Sequence, residues 1–324
     1  MRLHLIRTAP AMIGSFAGFL LLAASAFAQD QSPGEWLQKM TDAVQTTDYE
    51  GTVIRIQNGT AEALKVVHIV SDGVIREKVV IQEGNGLEII RNGNEVHCIL
   101  PDRKSVLVEE WDDQSTLFST LPSSDIRFGN EYDVAVVREE RVAGRKAIML
   151  AIRPHDDLRY GHRIWLDVDT GFPLQTKLMD GTGKSIEQVK FADIVLGKKI
   201  QMSALQPTTD IGDFRWFAQP QKTTKSPIES DWTSDDLPPG FRLISTHAEE
   251  KSGDDKTMVH MMLSDGLANV SVFIEPHTDE AGARRSKVGA SNSFSVPINE
   301  FRITAVGEVP LATAERIARS MRPR

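Results

Sequence analysis

Arg284, Arg285 and Lys287 form a dense cationic cluster flanked by Gly282 and Gly289, with Ser286, Ser291, Asn292 and Ser293 adding donors and acceptors. The planar guanidinium suits carboxylate or phosphate, bidentate where geometry permits. These residue types therefore point to capture of an anion rather than to bond-making, and a solvated basic loop is the competing reading. Around the cluster the charge is uneven. The whole chain carries a formal −8, whereas residues 281–324 hold eight Lys/Arg against three Asp/Glu. An acidic body disfavours nucleic acid as a partner, and the basic end points to an anionic one.

Reactive chemistry is hard to find elsewhere. Asp180-Gly181-Thr182-Gly183-Lys184-Ser185 resembles the tail of a phosphate-binding loop, but Leu178 stands where that motif needs glycine. The segment also joins two strand-like runs instead of opening a helix, so no helix N-terminus would face a phosphate. Neither a Gly-x-Ser-x-Gly elbow nor His-Glu-x-x-His occurs after residue 28. Histidines 68, 97, 155, 162, 247, 260 and 277 lack ligand spacing, and His97 and Cys98 would point to opposite faces of a strand. Cys98, the one cysteine, sits among Val96, Ile99 and Leu100 and reads as a buried, inert thiol. The sequence thus predicts a binding protein without metal or cofactor, and not an enzyme. A second candidate site is apolar. Trp36, Met40, Leu117, Phe118, Leu121 and Phe128 would line a concave sheet interior under a helical lid, the kind of place an acyl chain enters. Simple core filling competes with that reading.

The elements that position these residues follow from periodicity. Residues 1–28 have the layout of a secretory signal peptide. Arg2 and Arg7 precede an apolar run through Phe16, Phe19, Leu20, Leu21 and Leu22, and Ala26-Phe27-Ala28 offers a cleavage site. Gly14, Ser15 and Gly18 break that run, and it is short of the ~20 residues of a comfortable membrane span. An exported, soluble mature chain is expected. Ser32-Pro33-Gly34-Glu35 is a capping box with proline at the first helical position, followed by an apolar face of Trp36, Leu37, Met40, Ala43 and Val44. From Tyr49 the texture changes to β-rich runs over 51–57, 64–70, 74–82 and 134–138. Asn58-Gly59, Asp72-Gly73, Asn92-Gly93, Asp169-Thr170-Gly171 and Asp180-Gly181 punctuate the β-rich region. Such spacing predicts an antiparallel meander. The chain divides into a large β-rich module over 29–203, a linker over 204–230 and a second domain over 231–324. Trp111–Phe128 reads as a short helix or lid. Within the linker, Phe214, Trp216 and Phe217 predict that it docks somewhere. The second domain offers strands at 258–263, 270–275 and 303–306. A last helix then presents Ala314, Ile317, Ala318 and Met321 on one face.

Several stretches resemble one family. They are Tyr160-Gly161-His162-Arg163-Ile164-Trp165-Leu166-Asp167 with Thr170-Gly171-Phe172-Pro173-Leu174, Leu237-Pro238-Pro239-Gly240-Phe241, and Ser264-Asp265-Gly266-Leu267 with Val270-Ser271-Val272. The ending Ile303-Thr304-Ala305-Val306-Gly307-Glu308-Val309-Pro310, then Thr313-Ala314-Glu315-Arg316-Ile317-Ala318, belongs with them. In order and spacing they resemble the periplasmic sigma-E regulatory proteins of the RseB/MucB family. The resemblance implies an α+β, β-rich fold. Its N-terminal part would be a LolA/LolB-like half-open antiparallel barrel with helices inside, followed by a smaller C-terminal mixed-sheet domain. It implies a periplasmic negative regulator of the sigma-E/AlgU envelope-stress response. Such a protein binds the periplasmic segment of an RseA/MucA-like anti-sigma factor and shields it from site-1 proteolysis, and lipopolysaccharide or related lipid releases it. The family's basic loop matches Arg284 and Arg285, with Lys287 beside them, although the chain is longer than the family pattern between 287 and 294. A periplasmic lipid or lipoprotein carrier of LolA/LolB type is the alternative. Self-association stays open.

Overall fold

The computed structural model describes residues 31–110, 117, 121, 130–218, 226–227, 231–250, 257–276 and 282–324. The expected leader and most of 111–128 lie outside the described residues. Helix α1 (Pro33–Thr46) starts as the capping box requires: Glu35 N–H donates to Ser32 Oγ at 3.3 Å, and Ser32 N–H donates to Glu35 Oε2 at 2.7 Å. The helix buries Trp36, Leu37, Met40 and Ala43, as the spacing predicts.

Two meanders follow. The first is β1 (Tyr49–Gln57), β2 (Thr60–Ser71), β3 (Val74–Ile81), β4 (Glu88–Asn92), β5 (Glu95–Leu100) and β6 (Ser105–Glu110). The second is β7 (Tyr132–Val142), β8 (Arg145–Pro154), β9 (Gly161–Asp167), β10 (Pro173–Met179) and β11 (Ser185–Leu196). Antiparallel pairing of β1 with β11 splices them into one open sheet. Gly51 sits at that splice, beside a register shift, where a Cβ would stand 2.4 Å from the Asp193 carbonyl oxygen. Turns behave as read: Asn58, Gly59, Asp72 and Gly73 all have positive φ. At 180–184 the positive φ falls on Gly183 rather than on Gly181.

Part of the stretch read as a linker belongs to this sheet. After β11 a short 3-10 turn (Met202–Leu205) lays Leu205 on Val67 and Ile69. Lys78 Nζ then donates to the Gln206 carbonyl at 2.6 Å. The buried Glu88 carboxylate accepts from Thr208 N–H (2.8 Å), Thr209 N–H (3.0 Å) and Thr209 Oγ1 (3.0 Å). Lys104 pairs with Asp213 at 2.6 Å, and β12 (Arg215–Ala218) runs parallel to β6 as the twelfth, outermost strand. The linker thus docks through its backbone as an edge strand, while the predicted aromatic anchors Trp216 and Phe217 stay half exposed, Trp216 lying edge-on to His97 at 5.2 Å.

The second sheet begins with β13 (Ser226–Pro227), while β14 (Trp232–Ser234) lies outside it. Its other strands are β15 (Arg242–Glu250), β16 (Thr257–Ser264), β17 (Asn269–Pro276), β18 (Arg284–Val288), β19 (Ser291–Ile298) and β20 (Phe301–Gly307). Spatial order is β13-β15-β16-β17-β20-β19-β18. Helix α2 (Leu311–Ser320) covers β19 and β20, burying Ala314, Ile317 and Ala318 against Val272, Phe294 and Ile303. Met321, read as part of the helix face, instead opens the final β21 (Met321–Pro323), which pairs with β14 and clips the chain end to the start of this module. The result is the expected β-rich α+β fold, one large open sheet with a separate smaller one, although the smaller sheet is antiparallel throughout rather than mixed.

Candidate functional site

The basic cluster is a strand, not an open loop. Arg284–Val288 forms β18, exposed along its whole length and paired only with β19 among the described residues. Its side chains alternate, so Arg285 and Lys287 stand on the face of buried Phe294 and Asn292, opposite which they pair. The Arg285 guanidinium lies 5.8 Å from the Phe294 ring and that of Arg319, from α2, lies 4.9 Å from it. Glu315 bridges the two, accepting from Arg319 Nε and Arg285 Nη2 at 3.0 Å each. The hydrogen bond from Arg319, with Arg285 beside it, holds the Glu315 carboxyl below the usual carboxylate range. Arg316 is occupied by Asp236 at 2.5 Å, and Arg322 by Asp235. Lys287 forms no ion pair among the described residues. The structure therefore brings Arg284, Arg285 and Lys287 together on one edge and adds Arg319, which the sequence reading missed.

The turn of the β18–β19 hairpin fixes this edge against the large sheet. Gly289 has φ +61°, a left-handed conformation that favours glycine, and a Cβ there would fall 2.1 Å from Gln57 Nε2, so any other residue would be strained and would displace that side chain. Ala290 is buried with Tyr160 and Leu178, and Asn292 Nδ2 donates to Tyr160 Oη (3.0 Å) and to the Val309 carbonyl (2.8 Å).

A second joint is more polar. Arg159, whose side chain is wholly buried, donates from Nη1 to Asp265 Oδ2 at 2.6 Å and from Nη2 to the Pro239 carbonyl at 2.7 Å, both in the second module. Asp156 takes its Nε and second Nη2 bonds at 3.0 and 3.1 Å. The guanidinium also lies 5.4 Å from the Tyr132 ring and 5.5 Å from that of Phe241. Tyr132 Oη donates to the same Asp265 oxygen at 2.8 Å, and burial, then the carboxylate, push its phenol far above the ordinary value. Asp265 Oδ1 accepts from Leu267 and Ala268 N–H at 2.9 and 2.8 Å, so both its oxygens are used. Thr313 Oγ1 adds a bond to the Leu158 carbonyl at 2.5 Å.

The apolar candidates separate. Trp36 and Met40 are buried in a packed cluster with Tyr132, Ile148, Leu150, Ile152 and Ile164, filling the sheet interior. Leu117 and Leu121 pack over the other core cluster and line a cavity of about 170 Å³ with Leu178 and Val189. Arg55, Glu187 and Glu308 close that cavity on its polar side. Phe118 and Phe128 lie outside the described residues. Burial, then Glu187, raises the Glu308 carboxyl, and burial lowers His162 in the same lining to about 4. Cys98 is partly rather than fully buried, and burial, then Glu109, pushes its thiol up to about 11. No group of three or more His, Cys, Asp or Glu among the described residues is placed to hold a metal ion.

Comparison with known proteins matches residues 32–209 to the MucB/RseB N-terminal domain and 226–322 to the MucB/RseB C-terminal domain. The sigma factor AlgU regulatory protein MucB of Pseudomonas aeruginosa is 32% identical over 315 residues, spanning 94% of this chain and 95% of that protein. The sigma-E factor regulatory protein RseB of Escherichia coli K12 is 26% identical over 306 residues, with the same shares covered. Among solved structures, the Pseudomonas aeruginosa MucA/MucB complex superposes with a TM-score of 0.70 at 30% identity. It covers 90% of this chain and 99% of that one. MucB in complex with MucA(peri) gives a TM-score of 0.68 at 31% identity, over the same shares.

Proposed function

The chain belongs to the MucB/RseB family, and on that premise we propose that it works in the periplasm as a negative regulator of an envelope-stress sigma factor. It binds the periplasmic segment of a membrane-bound anti-sigma factor of the RseA/MucA type and hides that segment from the first-cutting protease. The observation that carries this reading is the likeness, over nine-tenths of the chain, to MucB solved together with the periplasmic part of MucA. Arg284, Arg285 and Lys287 supply the charge for such a segment, and its role is binding rather than catalysis. A segment touching both modules gains affinity from each without needing a tight site on either.

Lipid, lipopolysaccharide included, is the release signal in this reading, and it enters beside Leu117 and Leu121. Trp36 and Met40 already fill their part of the interior, so an acyl chain has to displace the Leu117–Leu121 packing rather than occupy an empty barrel. A tenfold loss of affinity for the anti-sigma segment needs only ~1.4 kcal/mol of preference for the lipid-bound state. The test is proteolysis of the purified periplasmic domain of the cognate anti-sigma factor by its site-1 protease. Added chain should slow the cut, and lipopolysaccharide should restore it. An unchanged rate with the chain in excess would end this reading.

A further inference from the structure

We infer that β18 is a strand-addition site for an extended peptide carrying carboxylates at alternate positions; this rests on the anti-sigma reading and gives it a binding mode. The first ground is backbone direction. Gly289 and Ala290 form a two-residue turn with positive φ at the first position only, the II′ geometry that suits a hairpin. In such a hairpin the flanking pair, Val288 and Ser291, exchanges both backbone hydrogen bonds, and the exchange recurs at every second pair. Ser286–Ser293 and Arg284–Ser295 are the next such pairs in the register. The N–H and C=O groups of Arg285 and Lys287 therefore point away from β19, towards the edge where no described strand follows.

The second ground is that backbone and side chains agree. A strand pairing with Arg285 and Lys287 sets its own residues i and i+2 directly opposite them, with side chains on the same face. That face already holds two guanidinium groups, Arg285 and Arg319, stacked over Phe294 with Glu315 shared between them. Carboxylates at i and i+2 meet Arg285 and Lys287 there, while residue i+1 and its like face Ser286 and Val288, which is 75% exposed. Cationic edges also repel one another, so the strand refuses a second copy of itself while accepting an acidic chain. An anionic headgroup would use the side-chain charges but leave this regular row of outward amides unpaired, so the peptide is the better fit. Main-chain pairing supplies affinity and the alternate carboxylates supply selection.

The test uses the peptide Thr-Val-Glu-Thr-Glu-Val-Thr, blocked at both ends, titrated into the full mature chain with amide exchange followed by NMR. The expected result is saturable binding that protects the Arg285 and Lys287 amides, which exchange freely beforehand. Ser286 and Val288, bonded to β19, are protected throughout. N-methylating both Glu nitrogens should weaken binding about tenfold or more, N-methylating the central Thr and second Val should change it less than about twofold, and Lys287→Glu should also cost about tenfold. Equal sensitivity to both methylation patterns, absence of binding, or capture of phosphatidylglycerol vesicles with no capture of peptide would each overturn the inference. If the chain still shields the anti-sigma segment in the protease experiment, the regulatory reading survives that failure; loss of shielding there would fail the reading itself.

Discussion

A guanidinium with no exposed surface persists only where its donors are met, and Arg159 meets that condition with partners in both modules. Removing one member of such a buried pair leaves the other charge stranded, which costs ~3–5 kcal/mol. Asp265→Ala should lower the denaturant unfolding free energy by about that amount. Joint replacement of Arg159 by Met and Asp265 by Leu should recover only part of it, because apolar packing substitutes for the ion pair but leaves Tyr132 Oη and the Leu267 and Ala268 N–H groups without their acceptor. Tyr132→Phe is milder. It removes one hydrogen bond to a carboxylate and should cost ~1.5–3 kcal/mol in the same unfolding measurement. Ser264-Asp265-Gly266-Leu267 stands in the sequence only as part of the family resemblance, and the structure makes it the connection between β16 and β17. Nothing local says that the carboxylate has a partner 106 residues away in the chain.

At the scale of elements, legibility tracks how local the physics is. The capping box of α1, the Asn-Gly and Asp-Gly hairpins and the apolar face of α2 are set by residues within a few positions of each other, and all were readable. Strand β18 was not, because Arg-Arg-Ser-Lys has low strand propensity and is flanked by glycines. It is a strand because the Gly289 turn and the Phe294 platform hold it so. The linker is a similar case. Its aromatics predict docking, but nothing local says that Glu88 on β4 ties it down at Thr208 and Thr209. Replacing Glu88 with Ala should leave those two N–H groups without their acceptor, costing ~1–3 kcal/mol. Limited proteolysis checks this at the element itself: the variant should gain cuts between 206 and 214, while an unchanged digestion pattern would show that β12 pairing alone secures the strap.

For the molecule as a whole, the two modules meet at a joint that mixes well-paired charge with poorly placed charge. The Arg159–Asp265 side is saturated with hydrogen bonds, whereas on the cavity side Glu308, between β20 and α2, faces Glu187 of β11. Arg55 and Lys177 share that lining, with Arg55 paired to Glu62 at 2.5 Å. Because the Glu308 pKa is raised in the folded state, its contribution to stability is fully present below about 4.5, its ordinary value. That contribution is lost as pH rises through the elevated folded value. His162 in the same cavity acts in reverse. Its folded pKa of about 4, against an ordinary 6.5, means acidification through that interval favours the unfolded chain. The two oppose each other in the wild-type profile, so comparison with a variant is what separates them. Glu308→Gln keeps the shape of the side chain and removes its charge. It should be more stable than wild type at pH 7.5, and the advantage should shrink steadily as pH falls towards 4.5. Denaturant unfolding of both proteins across that range is the measurement. A constant difference would mean that Glu308 bears no charge strain.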